Sequence, residues 1–280
     1  MELSVITVTL NDKENIAAQL RSVASGAEGL EFEQLVSDNG STDGTIDMIT
    51  KDFPQVTLVQ NGYNAGFGAA NNRAAQLTKG DFLLFLNPDM IVDVGSLKKM
   101  VEWMRARPEV GIASCKLLNP SGQFDERTKP RRLPTLFDQA MILLKIPHFF
   151  PSVLNKYLYA GFDMEKEQEV DSVRGSFLMM RRELYEKLGW AFDPRYYIWF
   201  EDVDVCREAR KNGFQVVYTP IISCVDLVGQ TFKKIPALWK QKNFTQSMLQ
   251  YFCKWESRSK WTIIAILRPV AIFLTILLAK

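Results

Sequence analysis

Along the first 118 residues, short apolar runs alternate with stretches of helical spacing. LSVITVTL (Leu3 to Leu10) is rich in β-branched residues and predicts a buried strand. Asn11 and Asp12 then offer caps, and Ile16, Leu20 and Val23 share one face of a helix reaching about Ser25. FEQLVSD (Phe32 to Asp38) predicts a second strand, NGSTDG a turn and TIDMITKDF a short helix. QVTLVQN predicts a third strand, GFGAANNRAAQLTK a glycine-rich lead into a helix, and DFLLFLN a fourth strand. The apolar density of that last run suits burial on both faces. The helix GSLKKMVEWMRARP and the strand VGIASCKLL follow. Strands and helices alternating at these lengths predict an α/β fold of βαβ units on a mostly parallel sheet.

From about Asn119 the pattern changes. NPSGQFDERTKPRRLP is polar and predicts a long surface loop, of a length that is often functional. A region of helical character runs to about Lys166. VDSVRGSFLMMRR then predicts a strand and ELYEKLG a short helix. In YYIWFEDVDVCREARKNG an aromatic run turns into a helix ending at Gly213, and FQVVYTP predicts another strand. Helical character resumes from about Thr231. Residues Trp261 to Lys280 are almost wholly apolar, broken by Arg268-Pro269. The length suits a membrane span, but a central Arg is costly in lipid and Pro bends a helix. Trp255 and Trp261, with Lys254, Arg258 and Lys260, form an interface-like belt just before this run. Three readings stay open: an interfacial or re-entrant anchor, to which the belt points, a true span, and a soluble packing or oligomer helix.

Composition narrows the class. The 280 residues suffice for a full hydrophobic core. With 47% hydrophobic and 24% charged residues the chain is globular rather than disordered. A net charge of +2 argues against a dedicated nucleic-acid binder. Cys115, Cys206, Cys224 and Cys253 are far apart, without a Cys-x-x-Cys pair, and read as reduced thiols in a cytosolic setting. His148 is the single histidine, which lowers the case for zinc or Ser-His-Asp chemistry. No charged leader precedes an apolar core at the N-terminus, so no signal peptide is predicted.

Ligands of open α/β sheets bind beyond the carboxyl ends of the strands. Three acidic or amide groups fall at such ends or at a helix start: Asp38-Asn39, Asn87-Pro88-Asp89, and Glu201-Asp202 with Asp204. Taken singly, the first two are ordinary turns and the third complements a helix dipole. Together on one α/β chain they point to a site. Several carboxylates around one crevice are costly without a cation or a proton-transfer task. That combination points to Mg²⁺ or Mn²⁺ holding a phosphorylated ligand.

VITVTLND, VSDNGSTDGT, NGYNAGFGAANN, FLLFLNPD, RGSFLMMRRELYEKLG and FDPRYYIWFEDVDVCREARKNG resemble, in order, the motifs of family 2 glycosyltransferases, and within them the rhamnosyltransferase-like branch. The resemblance covers about residues 3 to 230. It implies a GT-A fold with a nucleotide-binding half over about 1–118 and an acceptor half over about 119–230. A helical segment follows over 231–280, apolar at 261–280. It also implies inversion at the sugar's anomeric carbon.

The same resemblance implies roles. Thr7, Thr9 and Asp38 would line the base and ribose pocket, where a carboxylate can accept from a pyrimidine imide N–H. Asn39 would join them or hold the turn. Asn64, Gly66 and Gly68 would give a close backbone approach to the nucleotide. Asn72 would tie its helix to the donor site or act as a packing amide. Asp89 would bind the metal at the donor diphosphate. Asn87, at the first position of the family's Asp-x-Asp motif, would act through water or on the ribose. Asp202 would be the general base, with Glu201 its partner or an acceptor contact. Asp204 would be structural, and Arg207 would pair with the acidic cluster. Arg174, Gly175 and Ser176 would face the acceptor, and Trp199 and Phe200 would stack on sugars or pack in the core.

One departure matters. Where the family often carries a His-x-x-Gly-x-Ser/Thr stretch, this chain has DLVGQT, with Asp226 in the place of the His and Gly229 and Thr231 following. Asp226 would ligate the metal, or the position is silent. Lys233 and Lys234 would add charge at the diphosphate or form a solvated patch. The implied donor is a dTDP- or UDP-sugar, with dTDP-L-rhamnose to the fore. The implied acceptor is lipid-linked or a growing surface saccharide at the cytoplasmic membrane face, and the C-terminal helices could pair two copies. A nucleotidyltransferase would need a glycine-rich loop after the first strand, and NDKENIAAQLRS lacks one. A degenerate, non-catalytic scaffold at the membrane is the other alternative, against which Asp38, Asp89 and Asp202 stand.

Overall fold

The computed structural model describes residues 1–227 and 235–278. Gly229, Thr231, Lys233 and Lys234 lie outside the described residues. The first half runs β1 (Leu3–Thr9), α1 (Lys13–Gly26), β2 (Phe32–Asp38), α2 (Thr45–Asp52), β3 (Thr57–Gln60), α3 (Phe67–Ala75), β4 (Phe82–Leu86), β5 (Met90–Val92), α4 (Ser96–Arg105) and β6 (Val110–Leu118). The second half adds α5 (Leu136–Leu143), β7 (Gln168–Glu169), β8 (Phe177–Arg181), α6 (Arg182–Leu188), α7 (Glu201–Lys211), β9 (Gln215–Asp226), α8 (Ala237–Trp255) and α9 (Arg258–Leu278).

Among the described residues the strands form one sheet in the order β3-β2-β1-β4-β8-β6-β9-β5, with β7 beside β9. The block β3-β2-β1-β4 is parallel throughout. β8 then enters antiparallel between β4 and β6, β9 runs parallel to β6, and β5 and β7 pair antiparallel with β9. The sheet is sandwiched, as β4 shows. Phe82, Leu84 and Leu86 enter the apolar cluster on one face, while Leu83 and Phe85 enter the cluster on the other. The two-residue period of a strand delivers neighbouring side chains to opposite faces, so a strand buried on both sides must be apolar throughout.

Three differences from the predicted elements bear on the site. β5 is only three residues long, Met-Ile-Val directly after Asn87-Pro88-Asp89, an apolar run too short to predict a strand. The segment over 170–176 is not a strand; its Ser172 forms an isolated bridge with Arg131, and β8 begins at Phe177. β9 continues to Asp226, well past the predicted FQVVYTP.

A third apolar cluster holds the C-terminal helices in place. Tyr196 and Phe200, just before α7, pack with Met248, Tyr251 and Phe252 of α8 and with Ile264 and Ala271 of α9. At its edge Lys254 of α8 sits between three carboxylates: Asp193 at 2.9 Å, Asp204 at 2.7 Å and Glu208 at 2.9 Å. Trp255 Nε1 and Tyr196 Oη also donate to Asp204, at 2.6 and 3.0 Å. Arg207 does not pair with Asp204 as expected. It reaches across to α8 and its end, donating to Tyr251 Oη at 2.9 Å and to Glu256 at 3.2 Å. A helix residue three positions on shares a face with Asp204, but here Lys254 already fills the space between the acids.

In α9, Ile264 and Ala271 are buried, and Arg268 turns to the protein, its Nε donating to Thr245 Oγ1 of α8 at 3.3 Å. The opposite face, Ile263, Ile266, Val270, Phe273 and Leu277, is exposed and apolar. By length and composition α9 is the one helix among the described residues that could cross a membrane. The four cysteines are unpaired; three are buried and Cys253 is exposed.

Candidate active site

The carboxyl ends of β1, β2 and β4 open onto a cavity of about 460 Å³. One wall carries Thr9, Asn39, Asn64, Gly66, Asn87 and Asp89. The facing wall carries Arg174, Gly175, Ser176, Trp199, Glu201 and Asp202, and Asp226 completes the rim. Residues far apart in sequence meet here because β8 is inserted beside β4. Asn87 N donates to Ser176 O at 3.0 Å, joining the end of β4 to the segment before β8.

Some expected residues do other work. Thr7, Asp38, Gly68 and Asn72 do not line the cavity. Thr7 Oγ1 accepts from Gln19 Nε2 at 2.9 Å inside the core. Asn72 spends its amide on the chain before α7: Nδ2 donates to Phe192 O at 2.6 Å, and Oδ1 accepts from Ala191 N and Phe192 N at 3.0 Å. It is therefore the packing amide, not a donor contact. A Cβ on Gly68 would lie 3.3 Å from both Phe192 Cβ and Tyr196 O, so this glycine admits protein rather than nucleotide. Gly66 serves the same end. It has φ +86°, and a Cβ there would meet the Tyr197 ring at 2.7 Å. Asn39 holds the glycine-rich turn, donating to Gly66 O at 3.2 Å and accepting from Asn61 Nδ2 at 3.0 Å.

Other polar atoms stay unspent. Asp38 Oδ1 takes the N–H groups of Gly40 and Ser41, each at 2.9 Å, while its buried Oδ2 has no partner. Thr9 Oγ1, Glu201 Oε2 and Arg174 Nε are likewise buried and unpaired. Buried polar groups are normally satisfied, so four orphans at or beside one cavity fit a polar ligand.

Asp89 and Asp226 are brought together by β5, whose three apolar residues are too few to announce a strand. The β5–β9 register sets Met90 opposite Asp226, and Leu227 N donates to Asp89 O at 2.9 Å. Among the described residues no group of three or more His, Cys, Asp or Glu is set to hold an ion by itself. Two carboxylates nevertheless suit Mg²⁺ or Mn²⁺, since Mg²⁺ is usually bound through one or two carboxylates plus substrate phosphates.

The α7 end is strained and acidic. Trp199 and Phe200 have φ of +65° and +69°, a left-handed pair at a cost on the order of 1–2 kcal/mol each. Aromatic contacts hold them there: Trp199 lies 6.1 Å from Trp239 and from Phe244, and Phe200 lies 5.5 Å from Phe244 and from Tyr251. The turn sets Asp202 against the backbone, its Oδ2 accepting from Gly175 N at 3.2 Å and its Oδ1 from Val203 N at 2.8 Å. These bonds orient the carboxylate and leave it acceptor capacity. Burial, and then the charges of Asp202 and Asp204, hold the Glu201 carboxyl well above its usual range, favouring the neutral acid. Burial also raises Asp204 despite Lys254.

Several lining residues had no motif to announce them. Asp125 and Arg127 come from the polar loop after β6, paired at 2.7 Å, and this hydrogen bond holds the Asp125 carboxyl below its usual range. The loop's length was a signal; its individual residues were not. Trp239 of α8 and Tyr197 also line the cavity, their rings 6.1 Å apart. Nothing in the sequence around Trp239 marks it.

The fold and this cleft define a GT-A glycosyltransferase. The family model for glycosyl transferase family 2 matches residues 4–189, and the chain belongs to that family. It is an inverting glycosyltransferase of the rhamnosyltransferase-like kind. It is 30% identical over 230 residues to the N-acetylglucosaminyl-diphospho-decaprenol L-rhamnosyltransferase of Mycobacterium tuberculosis, covering 78% of this chain and 73% of that one. It is 24% identical over 167 residues to the rhamnosyltransferase WbbL of Escherichia coli K12, covering 57% and 60%. Among solved structures it resembles the mannosyltransferase PcManGT of Pyrobaculum calidifontis in complex with GDP-Man and Mn²⁺. That match has a TM-score of 0.63 at 19% identity, over 98% of this chain and 72% of that one. Residues 1–349 of S. aureus TarS with UDP-GlcNAc align with a TM-score of 0.60 at 19% identity, over 89% and 65%.

Proposed function

We propose that this chain transfers L-rhamnose from dTDP-L-rhamnose to a lipid-linked or growing cell-surface saccharide. The supporting observation is one cavity with the orphaned Thr9 Oγ1 on one wall, the orphaned Asp38 Oδ2 behind that wall at the end of β2, and an oriented carboxylate, Asp202, on the other. The rhamnosyltransferase names of the relatives from M. tuberculosis and E. coli favour this sugar. In this reading residues 1–118 bind the donor and 119–230 the acceptor. Asp38 Oδ2 and Thr9 Oγ1 take hydrogen bonds from the base and ribose. Asp202 accepts the proton of the acceptor hydroxyl as that oxygen attacks the anomeric carbon, and the bond to the diphosphate breaks on the opposite side. Glu201, as a neutral acid beside it, can donate to the acceptor. Asp89 and Asp226 would hold Mg²⁺ or Mn²⁺, whose charge offsets that growing on the departing nucleoside diphosphate.

The outer face of α9 sets the enzyme on the cytoplasmic face of the membrane. Its packing against α8, with Arg268 turned inward, favours lying in the interface over spanning. The test is a thermal-shift panel of dTDP- and UDP-sugars with Mn²⁺ or with EDTA, since a ligand of the native state raises the melting temperature. dTDP-L-rhamnose with Mn²⁺ should give the largest shift. If no nucleotide diphosphate shifts the transition, the non-catalytic scaffold takes the place of this reading.

A further inference from the structure

The turn that follows α5 is tied to the C-terminal helices. Leu143 of α5 is buried in the cluster that holds Met248 of α8 and Ile264 and Ala271 of α9. Lys145, at φ +60°, lies just past the end of α5 and donates through Nζ to Gln241 Oε1 of α8 at 2.7 Å. One turn further along α8, Thr245 takes the bond from Arg268 of α9. The chain leaving Lys145 therefore lies near the part of α9 beyond Arg268, which carries Phe273 and Leu277.

That chain reads IPHFFP over residues 146–151. Phe149 and Phe150 are 74% and 66% exposed, more than any residue of the α9 stripe. The tip is held in place. Phe149 N and Phe150 N both donate to Ile146 O at 3.0 Å, and Val153 N donates to Phe150 O at 3.2 Å. Pro147 and Pro151 fix the backbone on either side. Two adjacent aromatic side chains on a fixed tip keep apolar area in water that burial would favour removing. Further along the same segment, Tyr157 lines a small cavity of about 70 Å³ with Asp202, Lys129, Arg131 and Arg174.

Charge identifies what covers the tip. Residues 129–162 and 235–278 carry eleven Lys and Arg against two acids, whereas the remainder of the chain carries 23 against 30. Asp138 is buried in the capping box of α5, and Glu256 is paired with Arg207 and Lys260. Lys156, Lys242 and Arg258 are exposed and form no ion pair among the described residues. An apolar tip and an apolar stripe on a cationic layer match an anionic lipid surface.

We propose that Phe149 and Phe150 enter the head-group region of an anionic bilayer beside the outer stripe of α9, as a second point of contact. One helix lying in the interface leaves the body free to roll about the helix axis. A contact off that axis fixes how the Asp202 side of the cleft faces the membrane. The inference rests on the reading of α9 as lying on the membrane and names a further residue pair that this reading does not require.

The test is flotation with vesicles of phosphatidylglycerol and phosphatidylcholine, compared with phosphatidylcholine alone. Wild type should prefer the anionic vesicles, and the preference should weaken with salt. Phe149→Ser with Phe150→Ser should weaken binding to the anionic vesicles about tenfold or more. Val94→Ser, at a valine 71% exposed just before α4, should leave it unchanged. Phe150→Trp should bind at least as tightly as wild type, since Trp suits the lipid interface. The melting temperature and its rise with dTDP should be the same in wild type and the double Ser variant, showing that fold and cleft are intact. Binding unchanged by the double Ser variant, weakened by Phe150→Trp, or equally tight on neutral vesicles would overturn the inference. So would sedimentation showing a dimer that the Ser variant dissociates, which would make the tip a contact between two copies. Wild type that does not float at all defeats the placement of α9 as well. Wild type that floats, with an unaffected Ser variant, defeats this inference alone.

Discussion

Asp202 occupies the second position of α7, its carboxylate tied to two backbone N–H groups. Asp202→Asn keeps the shape and one of the two acceptor contacts, since an amide offers a single accepting oxygen, but removes the proton acceptor. Turnover should fall by about 10²–10⁴ while nucleoside diphosphate still raises the melting temperature. Unchanged turnover would move the base elsewhere. Glu201 carries a second, independent expectation. Its folded carboxyl titrates well above its usual value, chiefly through burial. The folded state therefore holds a proton that the unfolded chain releases, and stability from this group is full at low pH and is lost as pH rises through the folded value. Glu201→Gln should remove that dependence. Thermal denaturation should show the variant gaining on wild type as pH rises from about 4.5, the usual value for Glu; a constant difference would contradict the assignment. At this scale the motifs marked Asp38, Asp89 and Asp202 as acids near a site. They could not show that Asn39, Gly66, Gly68 and Asn72 serve the protein's own loops, because a side chain's partner depends on which distant segment lies beside it.

Two pairs of elements decide how the site is built. α8 grips α7 through Lys254, wedged among Asp193, Asp204 and Glu208. Lys254→Met leaves Asp204 buried without its cation, and breaking such a pair costs about 3–5 kcal/mol. A chemical-denaturation midpoint should report that loss. Asp204→Asn in the same chain should recover part of it, and a double variant no better than the single one would show that the charge is not what matters. The β5–β9 pairing makes the other arrangement, setting Asp226 near Asp89. Asp226→Asn should raise the Mn²⁺ concentration needed for half-maximal activity about tenfold, a loss of about 1.4 kcal/mol. An unchanged Mn²⁺ titration would make Asp226 silent. The periodicity that revealed β1, β2, β4, β6 and α4 had nothing to say about β5, since three residues hold less than two full periods of a strand. α8 was legible as a helix, but its grip on α7 was not.

At the scale of the whole molecule, α9 presents a stripe of Ile263, Ile266, Val270, Phe273 and Leu277 to the outside while its other face packs on the enzyme. Such a face buries favourably at a lipid interface. Ile266→Asp with Phe273→Asp should abolish flotation with anionic vesicles, and far-UV circular dichroism should show the helix content preserved. Flotation unchanged in the double variant would remove α9 as the anchor. The apolar run was plain in the sequence, yet Arg268-Pro269 left its relation to the membrane open. The fold turns Arg268 to Thr245 and so leaves the outer stripe free of charge.

The sequence by itself determined the alternation of strands and helices, the α/β class and the family, because these rest on local periodicity and on short motifs. It also placed acids at the strand ends. Only the tertiary structure decided that the sheet turns antiparallel at β8, that Asp226 lies across from Met90, and that Trp199 and Phe200 are held in left-handed backbone by α8. It also decided that Lys129, Arg131 and Arg174 share a cavity with Asp202. Each of these joins segments tens of residues apart, and a pattern read along the chain carries no term for which segments become neighbours in space.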